Sequence, residues 1–371
     1  MVKRIIYVAR ACPKDIYDML ELKTSIAANK FNKLLIEGFS CNNVEVHVIG
    51  VFDKCFNSLR IVKEDNITYY CAPQMHFLKK IIFSAKIYKK ILKQKNSFFI
   101  ADYLNVLLSL VGCLISKYYH RESVAIVTDL PEFLVKGKRL KNKLYISFSY
   151  FVLKLFEKHV LLTEYMSKKI NKNKYIVIEG VVDIININEK KVTNNEIVYA
   201  GMLNVEYGIK LLIDAFILLN NGEYTLELYG TGNYVKDIES ICLQYKNINY
   251  HGIVSNDMII KKEEDAFLLV NPRCSKDEFT KYSFPSKNME YMLSGTPMLC
   301  SKLPGLPHEY KNYVYIFEDE TVEGLAKTLK EIISLNKNIH LKKGKDAQKF
   351  VLENKNKIIQ AKKIIAFLED R

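Results

Sequence analysis

The stretch EIVYAGMLNVEYGIKLLIDAFILLN, Glu196–Asn220, decides how this chain folds. It opens with a short β-branched and aromatic run that stops at Gly201, and from Gly208 apolar residues recur at helical spacing through Leu219. A buried strand, a glycine at its exit and an apolar-faced helix make the first half of a βαβ unit. The pattern then repeats through YTLELYG (Tyr224–Gly230), YVKDIESICLQY (Tyr234–Tyr245), INYHGIV (Ile248–Val254), AFLLVNP (Ala266–Pro272), PSKNMEYMLSG (Pro285–Gly295) and PMLCS (Pro297–Ser301). Strands that alternate with helices predict an α/β domain built on a mostly parallel sheet.

The same alternation runs upstream. RIIYVA (Arg4–Ala9), VEVHVIG (Val44–Gly50), SFFIAD (Ser97–Asp102), VAIVTD (Val124–Asp129), HVLLTE (His159–Glu164) and YIVIEG (Tyr175–Gly180) read as strands, with helices such as Ile26–Ser40 and Asp102–Tyr119 between them. Residues 184–195, IININEKKVTNN, are polar and aperiodic and read as a linker. With 371 residues, the chain is long enough for two domains at about 150 residues each. The expected organisation is two Rossmann-like doubly wound domains, 1–183 and 196–355, facing a ligand cleft, since open α/β sheets bind at the carboxyl ends of their strands. The last helix, 356–371, is expected to cross back to the first domain and make closure a hinge movement.

The composition, 49% apolar and 26% charged, is that of a globular chain. The net charge of +14 lies wholly in residues 1–185, where 30 Lys and Arg face 16 Asp and Glu; residues 186–371 carry 25 of each. Such one-sidedness suits either an anionic partner or a lysine-rich solvated surface. Eight scattered cysteines without a C-x-x-C pair fit reduced thiols in a cytoplasmic protein rather than zinc or disulfides. No window approaches the roughly 18 apolar residues of a membrane span, so any membrane contact is expected to be peripheral.

The segment DEFTKYSFPSKNMEYMLSGTP, Asp277–Pro297, carries the candidate chemistry. Pro285 suits the first position of a helix, which would leave the N–H groups of Ser286, Lys287 and Asn288 at a positive dipole end that binds phosphate. Arg273, Lys281 and Lys287 are expected to converge as phosphate-neutralising cations. Glu290, one turn in, either accepts hydrogen bonds from a ribose diol or complements the helix dipole; Phe284 either borders the ligand or fills core. Gly201 and the glycines of LYGTGNY (Leu228–Tyr234) end strands where backbone approaches a ligand closely.

Taken in order, YAGMLNVEYGIKLLIDAF, LELYGTG, INYHGIV, LLVNPR and FTKYSFPSKNMEYMLSGTPMLCSKLPGLPHEY resemble the carboxyl-terminal domain of GT-B retaining glycosyltransferases of family four. The resemblance covers Ile197–Tyr310, whereas the amino-terminal half matches only in pattern. It implies a nucleoside diphosphate sugar as donor, with no cofactor and no metal. Donor contacts then fall to Gly201, Arg273, Lys281, Tyr282, Ser283, Phe284, Pro285, Ser286, Lys287 and Glu290, and base contacts to Ile253 and Val254. The chain departs from the family at two places. Tyr282 stands eight residues before Glu290, where the family has a second carboxylate, leaving Asp277 or Glu278 to replace it. Met202 and Tyr207 occupy the places of an Arg and a Lys.

On the acceptor side, Asp129 in VTDLP is either the group that orients or deprotonates a hydroxyl or an ordinary turn residue before Pro131. With Lys287 and Glu290 it completes the expected catalytic set. The loop Arg10–Phe31 occupies the family's acceptor-loop position. The basic stretches His76–Lys95 and Lys136–Phe156 are either amphipathic helices at an anionic membrane face or surface helices packed on the sheet. A saccharide or polyprenyl-diphosphate-linked acceptor at the inner membrane face would account for the charge. Nucleic acid is not expected, because no recognition motif appears. A nucleotide-binding subunit without activity and a sugar-nucleotide epimerase are the rival classes; the absence of a complete G-x-G-x-x-G fingerprint counts against the second.

Overall fold

The computed structural model describes residues 1–13, 16, 26–50, 60–71, 77–135, 137, 139–170, 174–185 and 194–370. Most of the stretch read as a linker lies outside these residues, as do most of the loop after the first strand, His76, Lys136 and Lys138. The chain forms two compact units, one of Met1–Asp183 with Lys355–Arg371 and one of Ile184–Asn354.

In the first unit the chain runs β1 (Arg4–Ala9), α1 (Ile26–Cys41), β2 (Glu45–Gly50), β3 (Arg60–Glu64), β4 (Ile67–Cys71), α2 (Phe77–Leu92) and β5 (Ser97–Asp102). It continues through α3 (Val106–Tyr118), β6 (Ser123–Val127), α4 (Leu140–Leu155), β7 (Lys158–Leu161), α5 (Tyr165–Ile170) and β8 (Tyr175–Val177). The sheet order is β3-β4-β2-β1-β5-β6-β7-β8, parallel throughout except for the β3–β4 hairpin. That hairpin is absent from the sequence reading because β3 is nearly all exposed and has no apolar run. The strands β1, β2 and β5 to β7 are buried almost without interruption, as strands covered on both faces must be.

The second unit runs β9 (Glu196–Met202), α6 (Ile209–Leu219), β10 (Thr225–Thr231), α7 (Val235–Gln244), β11 (Ile248–Gly252), α8 (Asn256–Asp265) and β12 (Leu268–Asn271). Then follow α9 (Ser286–Leu293), β13 (Met298–Ser301), β14 (Tyr315–Phe317), α10 (Val322–Ile333) and α11 (Lys337–Asn354). Its sheet is parallel in the order β11-β10-β9-β12-β13-β14. The chain builds outward from β9 to β11 and then returns across β9 to β12, so the order reverses between β9 and β12. Crevices form at such reversals, beyond the carboxyl ends of the strands.

The last helix, α12 (Lys357–Glu369), belongs to the first unit. The Val182 N–H donates to the Lys355 carbonyl and its own carbonyl accepts from the Lys357 N–H, tying the returning chain to this unit. At Gly38 of α1, an added Cβ would lie 2.1 Å from the Lys357 carbonyl, so glycine is what lets the two helices cross closely. Ala361, Ile364 and Leu368 join the core of this unit. The other end is held by Lys158, whose buried ammonium donates to the carbonyls of Phe367 (2.7 Å) and Asp370 and pairs with Glu122 at 2.7 Å. A cation on unpaired carbonyls at a helix C-terminus satisfies both the carbonyls and the dipole.

Candidate donor site at the sheet reversal

The strands β9 and β12 pair over only a short register before the chain reverses. The registered pairing of these strands covers Ile197 with Leu268 and Val198 with Leu269, leaving the next rung of β9, Ala200, paired with Tyr229 of β10 on one side but without a partner on β12. Tyr291 of α9 fills the gap: its hydroxyl accepts from the Ala200 N–H at 2.9 Å and donates to the Ala200 carbonyl at 3.4 Å. A second pin runs from Asn271, the last residue of β12, whose Nδ2 donates to Asn288 Oδ1 at 2.6 Å. The helix α9 is thereby fixed with its N-terminus at the reversal point.

The sequence reading places Pro285 first in this helix; it is the N-cap instead, and Ser286 is the first helical residue. The Asn288 N–H, expected to face a ligand, bonds back to the Pro285 carbonyl at 3.0 Å. The N–H groups of Ser286 and Lys287 precede the first intrahelical acceptor and point out of the helix end. Beside them lie two buried polar atoms without hydrogen-bond partners, Ser283 Oγ and Asn288 Nδ2. Orphans of this kind are rare in native interiors and require an explanation, of which a ligand is one.

Arg273 leaves the end of β12 between two rings, its guanidinium carbon 4.4 Å from the Phe279 centroid and 5.3 Å from that of Tyr207. Aromatic faces on both sides hold the planar cation in one orientation. Tyr207 thus helps position a cation that comes from the end of β12. The loop carrying Arg273 is itself fixed: Glu320 accepts from the Ser275 N–H at 2.9 Å, and Ser301 Oγ donates to the Arg273 carbonyl.

The three expected cations do not behave alike. Lys287 lies between two carboxylates, 2.9 Å from Glu290 Oε2 and 3.3 Å from the buried Glu263 of α8. Burial pulls its ammonium down, but Glu290 and Glu263 together outweigh this and the net shift is upward. Lys287 thus bridges α8 and α9 between these carboxylates; Glu263 went unnoticed because nothing in its own segment marks it. Lys281 is exposed at the end of a 3-10 turn, Glu278–Lys281. Tyr282 caps that turn half-buried, Asp277 begins it, and Glu278 is exposed. Glu290 is half-buried with one oxygen on Lys287. Of the two places open to Phe284, it takes the core: its ring is buried against Tyr310, 5.5 Å between centroids, so it and the buried Pro285 shape the turn from beneath.

The glycines divide by role. A Cβ on Gly201 would meet only the Tyr199 side chain, at 3.3 Å, so that glycine leaves space beyond the strand open. On Gly230 it would strike the Gly201 carbonyl at 1.8 Å, and on Gly232 the Leu203 backbone at 2.3 Å. The G-x-G of β10 therefore brings two loops against each other rather than against a ligand, which corrects the sequence reading. Asn204 and Asn233 staple these loops, with Asn233 N–H donating to Asn204 Oδ1 at 2.7 Å and Val205 N–H to Asn233 Oδ1 at 3.4 Å. Ile253 and Val254 follow the edge strand β11, two strands from β9, with Ile253 largely exposed.

In the first unit, Asp129 is exposed just beyond β6, and its carbonyl accepts from the Tyr103 hydroxyl. The neighbouring strand β5 ends in a carboxylate that sequence reasoning did not single out. Asp102 is buried, accepts from Asn32 Nδ2 at 3.0 Å and the Leu104 N–H at 3.3 Å, and is reached through Asn32 by the Tyr7 hydroxyl at 2.6 Å. Burial raises its carboxyl to about 6. The signal was present in the two strands that each end in Asp, SFFIAD and VAIVTD.

Among the described residues no group of three or more His, Cys, Asp or Glu is placed to hold a metal ion, and no helix is long and apolar enough to cross a membrane.

Residues 182–350 match the family model described as Glycosyl transferases group 1. The chain is similar in structure to sucrose-phosphate synthase from Thermosynechococcus elongatus, with a TM-score of 0.66 at 12% identity over 99% of both chains. It is similar to HepE of Anabaena in complex with UDP-glucose, at 0.67 and 13% over 99% of this chain and 100% of that one. With the trehalose-6-phosphate synthase OtsA the TM-score is 0.70 at 11% identity, over 100% of this chain and 99% of that one. No curated protein matches the chain by sequence. The two parallel-sheet units are the GT-B fold.

Proposed function

We propose that this chain is a retaining glycosyltransferase that moves a hexosyl or N-acetylhexosaminyl group from a nucleoside diphosphate sugar to a saccharide or lipid-linked saccharide in surface-polysaccharide assembly. The observation that carries the reading is the N-terminus of α9 at the strand reversal, beside the orphaned Ser283 Oγ and Asn288 Nδ2 and the ring-held Arg273. It lies in the segment that matches the glycosyltransferase family model. The similarity to a protein bound to UDP-glucose supports a uridine nucleotide as the first donor to test.

In this reading the diphosphate sits against the helix N–H groups and Arg273. Charge that develops on the leaving phosphate meets donors and a cation already in position, so little reorganisation is needed in the transition state. Glu290 accepts hydrogen bonds from the ribose while Lys287 and Glu263 hold its carboxylate still. Ile253 and Val254 border the base, and Asp129 serves the acceptor hydroxyl. Neutralisation by Arg273 and the helix end assigns no step to a metal ion or cofactor.

Tyr282, where the family has a carboxylate for the donor sugar, favours a second reading, a nucleotide-binding partner subunit without transfer. Release of nucleoside diphosphate from UDP-, GDP- and ADP-sugars, with and without lipid extract and with Glu290→Ala as control, separates the two. Release that the substitution abolishes supports transfer; nucleotide binding without release by the folded protein overturns it.

A further inference from the structure

The two basic stretches of the first unit, equivalent as sequence, differ in structure. In α2 the apolar side chains of the second half, Ile87, Tyr88, Ile91 and Leu92, are buried, so this part packs on its sheet, and among the described apolar side chains of the first half only Leu78 and Ile82 are left exposed. In α4 only Ser149, Val152 and Leu153 are buried. Leu140, Leu144, Phe148 and Phe151 are instead exposed, at 73%, 64%, 37% and 55%. At helical spacing these four fall within about 80° of arc, one continuous stripe along the outer face. Phe148 and Phe151 lie face to face along it, 6.4 Å between centroids. Lys143 and Lys154 border one side of the stripe and Lys141 the other, all three exposed. The neighbouring helix α3 adds Leu114 and Tyr118, exposed at 52% and 76%.

We infer that this face of the first unit lies on an anionic lipid surface, with the α4 stripe inserted among the headgroups. Charge makes the case for lipid. The helices α2, α3 and α4 pack side by side, and their 16, 13 and 16 residues carry five, one and three lysines with no Asp or Glu. A helix with a central apolar stripe and lysines on its flanks fits an interface where the rings enter the acyl boundary and the ammonium groups reach the phosphates. Nucleic acid fits poorly, because phosphate-backbone contact calls for cations at the centre of the surface rather than Leu and Phe. The face belongs to the first unit and does not depend on the donor chemistry proposed for the second.

The test is co-sedimentation of the full chain with vesicles containing phosphatidylglycerol and with vesicles of phosphatidylcholine alone. Binding is expected only to the anionic vesicles and to weaken as salt rises from about 0.1 to about 0.5 M. Phe148→Ser/Phe151→Ser should weaken it at least about tenfold. Lys141→Gln/Lys143→Gln should weaken it about 25-fold, about fivefold for each lysine. Lys236→Gln, on the second unit, should change nothing, and all variants should keep the thermal midpoint of the parent. Equal binding to both vesicle types, or binding that neither pair of substitutions moves, overturns the inference. So does a concentration-dependent dimer that Phe148→Ser/Phe151→Ser dissociates, which would assign the stripe to a second copy of the chain.

Discussion

Removing the Lys287 side chain separates its two readings, a clamp between carboxylates or a phosphate ligand. Glu263 is 4% exposed and meets Lys287 at 3.3 Å, while Glu290 meets the same ammonium at 2.9 Å. Lys287→Met leaves a buried carboxylate with its countercharge gone. Breaking a fully buried pair from one side costs about 3–5 kcal/mol. A third of the Lys287 side chain meets solvent, so about 2 kcal/mol is the appropriate figure here. Because the net shift of Lys287 is upward, its contribution is complete at neutral pH and is lost only as pH rises through the raised value. Hydrogen exchange of the α9 amides reads the local opening free energy in a chain of two compact units. The double substitution Lys287→Met/Glu263→Met removes both charges and should recover most of the loss. If Lys287 serves mainly the phosphates, α9 protection will stay unchanged in the single variant, and single and double variants will lose UDP affinity equally; that pattern would refute the clamp.

Arg273→Ala should weaken UDP binding by isothermal calorimetry about tenfold to a hundredfold, and Arg273→Lys should recover little, since an ammonium does not lie flat between the Tyr207 and Phe279 rings. Gly208 has φ +81° and a Cβ there would lie 1.9 Å from the Pro272 carbonyl, so Gly208→Ala should shift Tyr207 off Arg273 and lower UDP affinity while the first unit keeps its thermal midpoint. Asp102 carries a carboxyl raised by burial to about 6, so its proton is held more tightly folded than unfolded. Stability from this group is therefore complete below about pH 4 and falls as pH rises through 6, by about 3 kcal/mol in all. Urea unfolding of Asp102→Asn between about pH 4 and 8 should lack that slope; an unaltered slope would show that another group sets it. Lys158→Met should cost about 3 kcal/mol and loosen α12, seen as lost exchange protection at its C-terminal end.

What could be read from the sequence followed from how each feature is encoded. The buried parallel strands announce themselves through runs such as RIIYVA and EIVYAG, because burial on both faces demands continuous apolar residues. The edge hairpin does not, since RIVKE meets solvent and satisfies only its partner strand. At the candidate site, Pro285, Ser286 and Glu290 were visible because a helix start has a local signature. Glu263 was not: it owes its role to Lys287, distant in sequence, and to burial that no local pattern records; Asp102 was legible only as the last residue of a strand, its pairing with Asn32 and its burial arising from the fold. Arg273 was legible as a cation but not as a held one, because Tyr207 lies 66 positions away by the numbering and the ring contact exists only after β12 returns beside β9. The same holds for the outward stripe of α4: apolar residues at helical spacing look alike whether they face the sheet or the solvent, and only the packing of Val152 and Leu153 beneath them shows that Leu144 and Phe151 point away. A substitution series along that helix therefore tests more than lipid binding. It asks whether a helix can be apolar on both sides for two different reasons, one met by the core of the first unit and the other by a surface outside the chain.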